Sequence, residues 1–204
     1  MEYFNIAPVA SVIFVFTIIT SLYAFYDNGI YGKFMLHPYS VSKGKNVYTL
    51  ITSGLIHADW MHLFFNMFTF FAFAFTLERL MGSWQFGLLY FLGLVLSDLP
   101  TVFKHKDNFH YNSLGASGAI SAVLFSYILF NPMSKIYIMF IPIGIPAVAF
   151  GVIYLIYCAY ASRNSRDHIN HDAHFFGALT GLIFTIIFVP GIIQNFISML
   201  TGNN

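Results

Sequence analysis

The sequence predicts an all-α membrane protein, a polytopic bundle of six transmembrane helices that forms a single domain over residues 1–204. Composition is the first reason, because 58% of the 204 residues are hydrophobic and only 8% are charged. The mean hydropathy of +0.72 exceeds that of ordinary soluble domains. Segment length is the second reason, since about 20 apolar residues cross a hydrocarbon core of about 30 Å. Six such segments are predicted, over residues 6–25, 60–77, 84–103, 114–130, 136–160 and 173–196.

Polar residues divide the first half of the chain. Span one ends at Asp27, and we expect a retained helix because it lacks the basic start and small-residue cleavage site of a signal peptide. Residues 30–56 are too polar to cross a membrane and too apolar for a solvated linker. We therefore expect them at the membrane interface. Span two stops at Glu78, and span three is interrupted by Asp98 and Pro100.

The second half contains further helix breakers and the single cysteine. Span four stops at Asn131. Proline and glycine in span five, at Pro142, Gly144 and Pro146, predict a kink or a break there. Cys158 lies in an apolar run and has no second cysteine to pair with. We expect it to be a small buried hydrophobic residue.

The charge pattern excludes one class of partner and gives one topological signal. The formal net charge is +1 and the basic residues are scattered, so the chain lacks the basic stripe of a nucleic-acid-binding protein. The loops that precede spans two, four and six carry seven of the nine basic residues. The positive-inside rule alone therefore places these loops in the cytoplasm. The seven residues are Lys33, Lys43, Lys45, Lys104, Lys106, Arg163 and Arg166.

Polar residues collect at one face of the predicted bundle. The starts of spans two, four and six lie on the same membrane face, because the chain alternates direction. Ionisable groups inside a membrane are costly and their default interpretation is functional. The residues at these three starts are His57, His62, Asn66, Ser117, His168, His171 and His174.

Ser117 and His174 are the first candidate pair. A serine hydroxyl is a weak nucleophile until a base takes its proton, and neutral imidazole is the usual base. Asp172 is expected on another side of the helix, which favours a dyad over a triad. The alternatives are a helix-packing motif around the serine and a hydrogen-bonded core histidine. Four glycines flank these residues or share their helix face and would allow close helix packing: Gly115, Gly118, Gly177 and Gly181.

His62 and Asn66 form a second candidate pair. They stand four residues apart and therefore share one helix face. Both side chains donate hydrogen bonds without carrying charge, which suits stabilisation of an oxyanion. The alternative is a polar clamp between two helices.

A metal site is a competing interpretation of the histidines. His168, His171 and His174 repeat at a spacing of three, which spreads them over more than one helix face. The sequence also lacks the His-Glu-x-x-His motif. We therefore expect no metal site.

Taken together, the motifs resemble those of the rhomboid family of intramembrane serine proteases. They cover about residues 50–190 in matching order: His62-x-x-x-Asn66, Glu78-Arg79-x-x-Gly82, Gly115-x-Ser117-Gly118 and Ala173-His174-x-x-Gly177-x-x-x-Gly181. The resemblance implies that Ser117 is the nucleophile and His174 its base. It also implies that His62, Asn66 and the backbone N–H of Ser117 form the oxyanion hole.

The resemblance further implies a water-filled cavity that opens to the extracytoplasmic side, the opposite of what the charge rule indicates. Both termini would be cytoplasmic, and a bacterial cytoplasmic membrane is the expected location. The expected partners are the lipid bilayer and transmembrane protein substrates, with no cofactor, metal or nucleic acid. The alternatives are a catalytically silent rhomboid-like binding or quality-control protein, and a histidine-based membrane transporter of metal ions or protons.

The chain departs from the pattern of many relatives in two places. Tyr48 and Thr49 stand where those relatives have Trp-Arg in the first loop, and Ser121 stands where they have an aromatic residue that stacks on the base. The first departure concerns how the loop is anchored. The second leaves His174 less rigidly held, unless another aromatic residue supplies the stack.

Overall fold

The computed structural model describes residues 2–138, 142–165, 167 and 169–202. His168 and Arg166, both named above, lie outside these residues. Within them the chain forms eleven α-helices, one short 3₁₀-helix and a two-stranded hairpin. The elements are α1 Glu2–Ile6, α2 Pro8–Tyr26, α3 Asn28–Phe34, α4 Pro38–Val41, α5 Thr49–Thr52, the 3₁₀-helix Ser53–Leu55, α6 Trp60–Met81, α7 Ser83–His105, α8 Ser117–Phe130, β1 Lys135–Tyr137, β2 Gly144–Pro146, α9 Ala147–Asn164, α10 His171–Phe188 and α11 Ile192–Thr201.

Among the described residues, four helices are long and apolar enough to cross a membrane, namely α2, α6, α7 and α10. With the sequence composition, they establish an all-α polytopic membrane protein. Helix α8 has 14 residues and is about 21 Å long at 1.5 Å per residue. It is therefore shorter than a hydrocarbon core of about 30 Å. The count of six spans stays a prediction.

Helix α8 is the centre of the bundle. All its residues from Gly118 to Ser126 are buried, as expected for a helix that is apolar on every side. It packs against α6, α7 and α10. Small residues bring the helices together: a Cβ at Gly93 of α7 would lie 3.0 Å from the Cα of Ala119. The start of α8, where Ser117 lies, is therefore held by three neighbouring helices.

A buried carboxylate joins α2 to α6. The Glu78 side chain is 1% exposed and accepts hydrogen bonds from the backbone N–H groups of Val9, at 3.1 Å, and Ala10, at 2.7 Å. These N–H groups belong to the first turn of α2 and have no partner within that helix. Helix α6 continues past Glu78 to Met81, beyond the predicted end of span two at residue 77.

The structure corrects the predicted bounds of spans five and six. Residues 135–137 and 144–146 form an antiparallel hairpin, and the following helix begins only at Ala147, after Pro146. Helix α10 ends at Phe188 rather than 196, and a separate helix follows Gly191. Proline and glycine explain both differences, because Pro146 and Pro190 cannot continue a helical hydrogen-bond pattern. Helix α8 begins at Ser117, whereas span four was predicted to begin at residue 114.

The segment from residue 30 to residue 56 packs against α7. Leu36 and Leu50 are buried with Val102 of that helix, and Leu36 also pairs through its backbone with Ser113. At the two positions that depart from Trp-Arg, Thr49 is buried, while the exposed Tyr48 hydroxyl donates to the carbonyl of Lys33 at 3.2 Å. Backbone pairing and apolar contacts therefore anchor this segment.

Candidate active site

The four candidate polar residues line one cavity of about 1000 Å³. Ser117 is the first residue of α8, and His174 lies in the first turn of α10. His62 lies in the first turn of α6, with Asn66 one turn later. The Asp59 carboxylate caps this helix by accepting from the His62 backbone N–H at 2.8 Å. Three helix starts thus converge on a common space.

Glycine allows α8 and α10 to touch through their backbones. A Cβ at Gly177 would lie 2.1 Å from the carbonyl oxygen of Gly118, and one at Gly181 would lie 2.1 Å from the carbonyl oxygen of Ala122. No side chain fits at either point, because a backbone carbonyl cannot rotate away. One helical turn before Gly177 on the same face is His174. The contact therefore sets the distance between the two helix starts.

Ser117 and His174 are neighbours in this arrangement without being hydrogen-bonded. Their adjacent residues approach closely, since a Cβ at Gly118 would lie 3.4 Å from the carbonyl oxygen of Ala173. Across the described residues, neither side chain takes part in a hydrogen bond. Hydrogen bonds between catalytic groups are often long in ligand-free enzymes and tighten when substrate binds.

Tyr154 of α9 stacks on the His174 ring. The ring centroids are 6.3 Å apart with an interplanar angle of 19°. The Tyr154 hydroxyl lies 2.9 Å from the hydroxyl of Ser121, one turn after Ser117 on α8. The small Ser121 side chain thus leaves room for an aromatic ring from another helix and holds it by a hydrogen bond. Sequence reasoning left this aromatic residue unidentified.

His62 packs edge-on against the loop before Ser117. A Cβ at Gly115 would lie 2.7 Å from His62 Nε2, and the φ of Gly115 is +113°, so glycine is required there for both reasons. The Asn66 amide donates to the His62 carbonyl of its own helix at 3.1 Å. The two side chains therefore stand beside the loop that leads into Ser117.

Comparisons with known proteins show the family of this chain. A family model of the rhomboid domain matches residues 44–191, which is more than half of the chain. The chain belongs to the rhomboid family. It is 32% identical over 140 residues to the "Putative rhomboid protease YdcA" of Bacillus subtilis (strain 168), covering 69% of this chain and 66% of that protein.

Two further rhomboid relatives are mitochondrial proteins. The chain is 25% identical over 170 residues to RHOMBOID-like protein 12 of Arabidopsis thaliana, covering 74% of this chain and 50% of that protein. It is 33% identical over 95 residues to Presenilin-associated rhomboid-like protein A of Danio rerio, covering 46% of this chain and 25% of that protein. The chain therefore spans less than two thirds of the length of each of these three relatives.

His57 packs against His62, which lines the cavity. His57 is fully buried, its Nδ1 lies 2.9 Å from the Ser21 hydroxyl, and its ring meets the His62 ring edge-on at 4.9 Å. Burial lowers the pKa of His57 to about 3, with the neighbouring His62 acting in the same direction. His57 is therefore neutral at physiological pH and adds no positive charge beside His62.

Asp172 does not orient His174. Its carboxylate accepts hydrogen bonds from the Ser162 hydroxyl and from Lys104 Nζ, the latter at 2.5 Å. These bonds join α10 to α9 and α7. The arrangement of Ser117 and His174 is thus a pair without a carboxylate partner among the described residues.

A cluster of possible metal ligands includes His174. One ligand atom each of Cys158, His171 and His174 lies within 4.8 Å of the others. Sequence spacing alone missed Cys158, which comes from α9, one turn after Tyr154 on the same face. The four-residue spacing between Tyr154 and Cys158 was the only feature of the sequence that linked this cysteine to the site. The expectation of a serine–histidine dyad that works without metal stays a prediction.

Proposed function

We propose that this rhomboid protein is an intramembrane serine endopeptidase that cleaves peptide bonds in or near the transmembrane segments of membrane-protein substrates. The observation that carries the proposal is the backbone contact of Gly118 with Gly177, which holds the start of α8 against the start of α10. Family membership supports it. Ser117 would be the nucleophile and His174 its general base.

In the proposed reaction, the Ser117 oxygen attacks the scissile carbonyl while its proton passes to His174. His174 then donates that proton to the leaving amine, which leaves an acyl ester on Ser117. A water molecule loses a proton to His174 and attacks the ester. The bond between the acyl carbon and the Ser117 oxygen then breaks, His174 returns the proton to that oxygen, and the acyl group leaves as a carboxylic acid. The His62 ring, the Asn66 amide and the Ser117 backbone N–H would stabilise the oxyanion in both steps.

The length of α8 supports cleavage below the membrane surface. If the Phe130 end reaches one surface, a helix of about 21 Å leaves Ser117 roughly 9 Å short of the other side of a 30 Å core. The cavity of about 1000 Å³ beside Ser117 would supply the water that hydrolysis needs.

The test is cleavage of a panel of transmembrane reporter peptides by the purified full chain in detergent. Ser117→Ala and His174→Ala should each abolish cleavage and fluorophosphonate labelling, and the double variant should lose no more, because the two groups act as one unit. His171→Ala should retain substantial activity, and a chelator should not inhibit. Cleavage that survives Ser117→Ala would refute the mechanism.

Asn66→Ala should slow cleavage by about 10²–10³-fold, since one of several oxyanion donors is lost. His62→Ala should behave similarly. The wild-type thermal midpoint serves as the control for folding. Complete loss in a folded Asn66→Ala protein, equal to that of Ser117→Ala, would contradict an auxiliary role.

A catalytically silent rhomboid protein is the second candidate, because Ser117 and His174 are not hydrogen-bonded to each other. Fluorophosphonate labelling separates the two candidates, since only an activated serine reacts. We further propose that the site opens to the extracytoplasmic side of a bacterial cytoplasmic membrane. A C-terminal reporter fusion that reports an extracytoplasmic location would contradict this orientation.

A further inference from the structure

Soft metal ligands meet at the start of α10, beside the proposed active site. Cys158 Sγ and one ring nitrogen each of His171 and His174 lie within 4.8 Å of one another. Nothing in the proposed mechanism uses Cys158 or His171. We propose that these three residues form an inhibitory binding site for Zn²⁺ or a similar thiophilic divalent ion.

The burial and hydrogen bonding of His171 suit a metal ligand. The residue is 4% exposed, and its Nδ1 has no hydrogen-bond partner among the described residues. Its Nε2 lies 3.1 Å from both carboxylate oxygens of Asp167. Metal-ligating histidines characteristically donate their other N–H to a carboxylate, which fixes the tautomer and leaves the free nitrogen as the ligand. A buried nitrogen without a partner calls for an explanation, and a bound cation provides one.

A carboxylate that bonds to Nε2 raises the basicity of the opposite ring nitrogen. Asp167 thus stands in the position of an outer partner to a His171 ligand.

The spacing of the three groups suits tetrahedral coordination. Around Zn²⁺ with bonds of about 2.0–2.3 Å, neighbouring ligand atoms lie about 3.3–3.6 Å apart. Small side-chain rotations close the present separations of up to 4.8 Å. The Cys158 thiol would lose its proton to solvent on binding, while both histidines bind as neutral rings. One thiolate and two imidazoles favour Zn²⁺ over Mg²⁺ and Ca²⁺.

An ion can reach the site through the proposed active-site cavity. His171 and His174 both line it. Water or a small anion from the cavity would complete the fourth coordination position.

Binding would inhibit because it occupies the proposed general base. A neutral imidazole has one nitrogen with a free lone pair, and a metal on that nitrogen leaves none to accept the Ser117 proton. This inhibitory consequence rests on the proposed protease function, whereas the binding itself does not. The two parts therefore need separate measurements.

Cobalt binding tests the site without any cleavage assay. Titration of the full chain with Co²⁺ should give a thiolate-to-cobalt charge-transfer absorption band that Zn²⁺ abolishes by competition. Cys158→Ala should lose the band. His110→Ala is the matched control, since the exposed His110 lines the same cavity outside the ligand cluster, and it should keep the band. Absence of the band from the wild-type protein would overturn the proposal.

Zinc inhibition tests the consequence. Zn²⁺, but not Mg²⁺, should reduce reporter cleavage and fluorophosphonate labelling of the wild-type protein. Cys158→Ala should raise the half-inhibitory zinc concentration at least about tenfold, and Asp167→Asn should raise it by about 10–100-fold as an outer partner. Equal inhibition of the wild type and Cys158→Ala would overturn the proposal. A cobalt band in a protein that cleaves nothing under any condition would keep the metal site and refute the protease function.

Discussion

The two sides of α10 are held by different kinds of contact. Toward α8, Gly177 and Gly181 lie directly against the carbonyl groups of Gly118 and Ala122. Toward α9, the contacts are made by side chains, with the Tyr154 ring over His174 and the Cys158 thiol beside the histidines. At these glycines the backbones of α8 and α10 touch, whereas rings and a thiol make the contacts between α9 and α10.

This difference separates two tasks. A backbone carbonyl cannot rotate away from its neighbour as a side chain can. The contacts with α8 therefore fix where the start of α10 lies. The Tyr154 ring lies over His174, so contacts on the α9 side bear on how the His174 ring is oriented. We therefore expect severe effects from changes at the glycine contacts with α8 and graded effects from changes on the α9 side.

The largest effect is expected from Gly177→Ala. The added methyl group would lie 2.1 Å from the Gly118 carbonyl oxygen and force the helices apart. A displacement of about 1 Å in an active site costs about 10²-fold in rate, so reporter cleavage should fall by at least that factor while helical circular dichroism persists. Gly181→Leu should behave in the same way.

The matched control is Gly87→Ala on α7. There a Cβ meets only Val9 Cγ1, at 3.5 Å, which is ordinary van der Waals contact. This variant should cleave at the wild-type rate. Full activity in Gly177→Ala would show that the α8 side tolerates adjustment and would remove the contrast between the two sides.

A smaller effect is expected on the α9 side. Tyr154→Leu removes the ring that stacks on His174, and aromatic pairs contribute about 0.5–1.5 kcal/mol. This corresponds to a rate loss of about tenfold at most. Tyr154→Phe keeps the ring and should cleave faster than Tyr154→Leu in the same reporter assay. Equal rates for the two variants would indicate that the hydroxyl bond to Ser121, rather than the stack, positions the base.

The smallest effect is expected at the far end of the α8 contact. The Thr185 hydroxyl lies 2.6 Å from the Ser126 hydroxyl, and hydrogen bonds between membrane helices average about 0.6 kcal/mol. Thr185→Val should lower the thermal midpoint slightly and leave cleavage unchanged. Thr180→Val is the control, because the Thr180 hydroxyl bonds within its own helix, to the Phe176 carbonyl. A larger loss in the control would contradict a stabilising role for the Thr185 contact between helices.

Sequence reasoning was most successful where one local property decides the structure. Long apolar runs predicted α2, α6, α7 and α10 because hydrocarbon length and backbone satisfaction leave a membrane chain few alternatives. It was least successful between residues 131 and 146. There proline and glycine indicated a break, but pairing of Lys135 with Pro146 across a hairpin depends on contacts between distant residues.

The sequence by itself determined the class of protein, its rhomboid motifs and the identity of the candidate dyad, because these depend on composition and on short fixed spacings. Only the tertiary structure decided which residues surround His174. Tyr154 and Cys158 reach it from α9, a helix whose rotation and depth are fixed by packing against its neighbours. A helical repeat shows which residues share a face, but it does not show what that face meets.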